Sequence, residues 1–106
     1  PDHPCCVLAV SRDFLEKRPA EVDALRRAHQ RSIDYIKSNP EEAVAIGVQY
    51  TAMEPAVVAA ALRHIQFDQH LSPDPAVDFA LTLNRLGYTA IDDPRAFLQS
   101  LLLASP

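Results

Sequence analysis

Glycine is nearly missing from this chain, whose 106 residues hold 2 glycines against 9 prolines. A β-barrel closed by glycine turns is a poor fit to that balance. A glycine-rich phosphate loop cannot be assembled either, because Gly47 and Gly87 lie far apart in the sequence. Positive charge is also in short supply. The formal net charge is −4, and the one basic cluster (Arg26, Arg27 and Arg31, with Lys17 and Arg18 upstream) is interleaved with Glu16, Glu21 and Asp23. Phosphate backbones select for a basic face, so no nucleic-acid partner is expected. Long apolar runs are lacking as well. The best candidate, Phe97 to Ala104, is broken by Gln99 and Ser100 and falls short of the roughly 18 apolar residues of a helical span. Cysteine is confined to the neighbours Cys5 and Cys6. A disulfide between adjacent residues closes a strained ring, and two thiols without a second pair lack a zinc spacing. No metal or cofactor is expected. With no signal peptide and no initiator methionine before Pro1, the sequence reads as an internal excision from a longer protein.

What is present is ordinary for a globular chain: 48% hydrophobic and 23% charged residues. The length suits one domain with a modest core. Punctuation by proline then divides the chain. Cys5 to Val10 is a short apolar run with β-favouring valines, which predicts a strand over about residues 5–10 of the kind buried on both faces. A lone strand is marginal without partners. Ser11 is a good N-cap for a first helix, about 11–17. Pro19 suits the first turn of a second, about 19–38, whose apolar stripe runs through Val22, Leu25 and Ile36, with Ala28 or His29 and Ser32 or Ile33 between. Asn39-Pro40 stops it and starts a third, about 40–50, with Ala43, Ile46, Gly47 and Tyr50 on one face. A fourth, about 54–65, carries Val58, Ala61, Leu62 and Ile65, and Gln66 to Leu71 has no helical period. Ser72 is placed to cap a fifth, about 73–86, which Gly87 ends as a left-handed cap. Asp92 or Asp93 opens a last helix, about 93–103. The fold class is thus mainly α, about six helices with one short N-terminal strand.

Chemistry is sparse along this frame. His64, Asp68 and His70 have the pattern of a metal site only on a continuous helix, which the aperiodic segment from Gln66 interrupts. They read as polar residues on a connector, and His29 as structural or solvent-facing. Cys5 and His3 would share a face of an extended strand, but no third group orients the histidine and no oxyanion hole is signalled. Small apolar core residues are the simpler reading of both cysteines. The carboxylate pairs Glu41-Glu42 and Asp92-Asp93 sit at helix starts, where capping explains them. No catalytic residue is expected.

The order of these elements resembles a known family. An apolar strand ("HPCCVLAV"), then "FLEKRPAEVDAL", "YIKSNPEEAVAI", a Thr-x-x-x-x-Pro helix start and a late "LGYTAIDDP" are similar to the C-terminal part of ABC-transporter solute-binding proteins of the nitrate, sulfonate, taurine and thiamine-precursor type. These are the NMT1-like proteins of the type II periplasmic-binding-protein class. The resemblance implies a two-lobed α/β fold, completed by sheet strands outside this chain. It also implies a small anionic or nitrogen- or sulfur-containing solute as ligand, an ABC permease as partner, and a periplasmic or membrane-anchored extracytoplasmic location. On the same resemblance, Asp2, His3, Cys5 and Cys6 lie near the lobe crossover and become the ligand-binding candidates. An uncovered strand edge invites exchange between copies, and hence a homodimer. A related pyrimidine-biosynthesis enzyme and a sensory ligand-binding domain are the alternatives.

Overall fold

The computed structural model describes residues 3–102. Six helices account for most of them: α1 (Arg12–Lys17), α2 (Pro19–Ser38), α3 (Pro40–Thr51), α4 (Pro55–His64), α5 (Pro73–Arg85) and α6 (Pro94–Leu101). Proline begins five of the six. Its fixed φ suits the first turn, and the amide proton it lacks has no helical partner there. The mainly helical class follows directly from this punctuation. Position 103, at the expected end of the last helix, lies outside the described residues.

Helix ends show where side-chain chemistry took over from pattern. Ser11 Oγ accepts from the Phe14 amide at 3.1 Å, and Asp93 Oδ1 accepts from the Ala96 amide at 3.0 Å. Ser72 makes no such bond. Asn39, expected to cap α3, instead donates its amide Nδ2 to the Tyr35 carbonyl at 3.1 Å and so satisfies the end of α2. At the end of α5, Gly87 adopts φ +82°. The Tyr88 and Gly87 amides bond back to the Leu83 and Asn84 carbonyls, each at 3.0 Å. That pair of bonds is a Schellman motif, and it needs the left-handed residue that glycine supplies.

One expectation is corrected. Residues 5–10 form no strand, and no strand occurs among the described residues. A ladder needs a second backbone to exchange hydrogen bonds with, and here the segment has none. The described residues gather into two compact units. One is Val10–Gln69, with α1 to α4 packed in sequence; the other joins the described residues up to Ala9 with those from His70 on, where α5 packs against α6.

Each unit has a small core. Val22, Ile33, Ala43 and Val58 are buried in the first, and Ala76, Val77 and Ala80 in the second, with Pro94 beside them. Apolar surface remains uncovered: Tyr50 is 85% exposed, Tyr88 77%, Leu86 63% and Val7 62%. The accessible area is 8359 Å². Two separate folded units of half this mass would expose about 7100 Å² together by the usual size scaling. Ion pairs at the surface add little to this balance. Lys17–Asp13 (2.9 Å), Arg18–Glu21 (3.2 Å) and Arg95–Asp74 (2.8 Å) are all mostly exposed, where such pairs contribute about 0–1 kcal/mol.

Where α2 gives way to α3, the Tyr35 hydroxyl donates a short hydrogen bond to Glu42. That bond, with the carboxylate's charge a smaller effect, holds the phenol above its usual pKa of 10.0. The bond needs the phenol proton. Its stabilisation is therefore complete below the ordinary tyrosine range and fades as pH rises through the raised folded value. Glu42→Gln should bring the alkaline titration of Tyr35 back toward the ordinary value. Tyrosinate absorbance, with Tyr35→Phe identifying the transition, reads this out. An unchanged midpoint in Glu42→Gln would show that the bond does not persist in solution.

Candidate functional site

The residues singled out from the sequence gather at the start of the chain. Asp2 lies outside the described residues. His3, Cys5 and Cys6 are all exposed, on a segment with neither helix nor ladder, so the cysteines are not the core residues expected, with no paired strand to bury them. His3 stacks on Phe79 of α5, with ring centroids 5.7 Å apart and planes 17° from parallel. This contact fastens the segment to the second unit. Two residues on, the Cys5 and Cys6 Sγ atoms are 3.4 Å apart and share a hydrogen bond. Both thiols are free. The bond to Cys6, and next the repulsion a Cys6 thiolate would exert, push the Cys5 thiol above its usual pKa. A nucleophilic cysteine requires the opposite shift, so this bond does not activate Cys5 for attack.

The metal pattern at His64, Asp68 and His70 does not come together. His64 closes α4, while Asp68 and His70 lie in the irregular segment beyond it. Among the described residues no group of three histidine, cysteine or acidic side chains could hold an ion. His29 proves structural. Its Nδ1 lies 3.2 Å from Gln69 Nε2, which also donates to the Arg26 carbonyl at 2.7 Å. With Gln69 donating, His29 carries its proton on Nε2. Gln69 thus ties the aperiodic connector to α2, a role no local pattern reveals.

Sequence reasoning also missed a cleft of about 690 Å³ in the first unit. Ile36 of α2, Val44 of α3, Leu62 of α4 and Phe67 of the connector give it apolar walls, and Lys37, Glu41, Arg63 and Asp68 are its charged lining residues. The volume lies in the usual range for small-molecule sites, roughly 300–1000 Å³. Its walls come from four separate segments. The only trace in the sequence is the apolar Phe67 in a segment without helical period.

Residues 1–50 match the model of the NMT1-like family. The match takes in the cysteine segment, α1, α2 and most of α3, and supports this family for the first half of the chain. No curated protein and no solved structure gave a significant match.

Proposed function

We propose that this chain is the C-terminal portion of the substrate-binding component of an ABC importer, taking up a small anionic or nitrogen- or sulfur-containing solute. The match of residues 1–50 to the NMT1-like family carries this reading. The exposed apolar side chains, among them Tyr50, Tyr88, Leu86 and Val7, and the unpaired run Cys5 to Val10 support it. Both suit a chain whose apolar faces are covered by a sheet belonging to the rest of a two-lobed protein. In that setting Asp2, His3, Cys5 and Cys6 border the ligand cleft, the partner is the importer's permease, and the location is periplasmic or on the outer side of the membrane. Isolated copies would pair through the uncovered segment, so light scattering of this chain should report a dimer.

The test is a thermal-shift series on the full-length protein with nitrate, taurine, other sulfonates and pyrimidine precursors. A ligand at 100 times its dissociation constant stabilises by about 2.7 kcal/mol, well within detection. The reading fails if none of these solutes raises the transition and the protein does not associate with a permease. The exposed thiols favour one other reading, a pyrimidine-biosynthesis enzyme. Cys5→Ala and Cys6→Ala in the full-length protein separate the two. Loss of turnover with unchanged ligand affinity and stability would identify the enzyme.

A further inference from the structure

The two sulfurs at the start of the chain are adjacent, exposed and unoxidised, with a separation of 3.4 Å. A direct disulfide would have to draw them in to about 2.05 Å across a single peptide unit. Placing one atom between them removes that demand, because the ring grows by one member and the sulfurs stay close to where they are. The separation also limits which atom fits. A tetrahedral zinc thiolate site, with Zn–S about 2.3 Å, spaces its sulfurs about 3.8 Å apart and requires two further protein ligands. Among the described residues no third or fourth ligand accompanies the cysteines. Linear two-coordinate cations need the sulfurs on opposite sides of the metal, which is wider still.

We propose that Cys5 and Cys6 form a bidentate vicinal-thiol site for trivalent arsenic, as arsenous acid or a mono-organoarsenous acid. Trivalent arsenic is pyramidal, with bond angles near a right angle, so it closes onto a short sulfur–sulfur edge. Two thiols and one retained oxygen or carbon substituent complete its shell without any further side chain. The reaction is a condensation. Two S–H bonds and two As–OH bonds break, two As–S bonds form, and the two protons leave with the two hydroxyls as two waters. Arsenic remains trivalent, and no oxidant or reductant takes part.

The raised pKa of the Cys5 thiol favours the same class of ligand. A divalent metal must displace both thiol protons into solution, which makes its binding weaker wherever the thiol pKa is raised. The arsenic condensation consumes neutral thiols and carries no such penalty. Exposure of both side chains leaves the approach open. His3, stacked on Phe79, anchors the segment beside the pair. This site stands independently of solute import, since it rests on the two thiols alone.

The test uses this chain, reduced, with phenylarsonous acid as probe and intact-mass spectrometry as readout. The expected product is a single 1:1 adduct with loss of two waters, which survives millimolar glutathione and is removed by a small dithiol. Once one sulfur has reacted, the second attacks within the molecule, so removing either should weaken retention about 100-fold or more. Cys5→Ala, Cys6→Ala and the corresponding serine variants should therefore lose the adduct in glutathione while keeping the helical circular-dichroism signal. A glutathione-resistant adduct on any single-cysteine variant would overturn the proposal. So would a wild-type adduct stripped by glutathione as readily as that of a variant. In a parallel arm, stoichiometric binding of zinc alone at micromolar concentration would overturn the assigned selectivity.

Discussion

Asn84→Leu is expected to destabilise the second unit by about 2–4 kcal/mol, the sum of three hydrogen bonds lost with their partners left partly buried. Asn84 sits near the end of α5. Its side chain holds the loop to α6 at two points. Oδ1 accepts from the Ile91 amide at 3.0 Å and from the Thr89 hydroxyl at 2.6 Å, while Nδ2 donates to the Ile91 carbonyl at 2.8 Å. All three residues are half-buried, so water would replace these bonds only in part. Leucine matches the volume but offers no polar atom. Asn84→Asp is the informative companion. It keeps both acceptor bonds but loses the donor, and it sets a carboxylate against the Ile91 carbonyl, so it should fall between wild type and leucine. Chemical denaturation gives the ranking, and amide exchange at Ile91 locates the effect. Unchanged protection of that amide in Asn84→Leu would show that the loop is held by something else.

The Asn84 network also marks the limit of reading this fold from its sequence. Helix starts were legible because proline, with Ser11 and Asp93, states a local geometric preference that needs no distant partner. The Gly87 stop was legible for the same reason, since only glycine takes a left-handed turn without cost. What stayed hidden was non-local. Asn84 reaches forward to a loop, Gln69 reaches back to His29 and the Arg26 carbonyl, and four separated segments build the cleft. The strand expected over 5–10 failed on the same ground in reverse, because its valines fit a sheet only if a neighbouring strand is there to pair with. At the candidate site, the cysteine pair was visible as two letters. Its 3.4 Å separation, its exposure and the stacking of His3 on Phe79 were not.

Gly47→Ala should destabilise the first unit even though alanine is the better helix former, and Val58 should decide the sign. In the middle of an exposed helix the exchange would gain about 1 kcal/mol. Here the new Cβ would stand 2.7 Å from Val58 Cγ1. Val58 is buried, and its branching at Cβ leaves it one strongly preferred rotamer in a helix. The methyl groups must therefore separate by moving backbone, and the short link from Thr51 to Pro55 leaves α3 and α4 little freedom across their 115° bend. Overpacking of this kind costs about 1–3 kcal/mol, enough to cancel the helix gain or exceed it. Val58→Ala alone creates a cavity and should cost about 1–3 kcal/mol. Together the two changes compensate, because the new methyl enters space that Val58 has vacated. The double mutant should be more stable than the sum of the singles by about 1–2 kcal/mol, a coupling typical of residues in contact. Val44 on α3 and Leu62 on α4, one turn from the crossing in each helix, form walls of the cleft. Forcing these helices apart should then change the fluorescence of an apolar dye bound there in Gly47→Ala but not in the double mutant. Strict additivity across the cycle, or a stabilised Gly47→Ala, would refute the close approach of α3 and α4 on which the cleft depends.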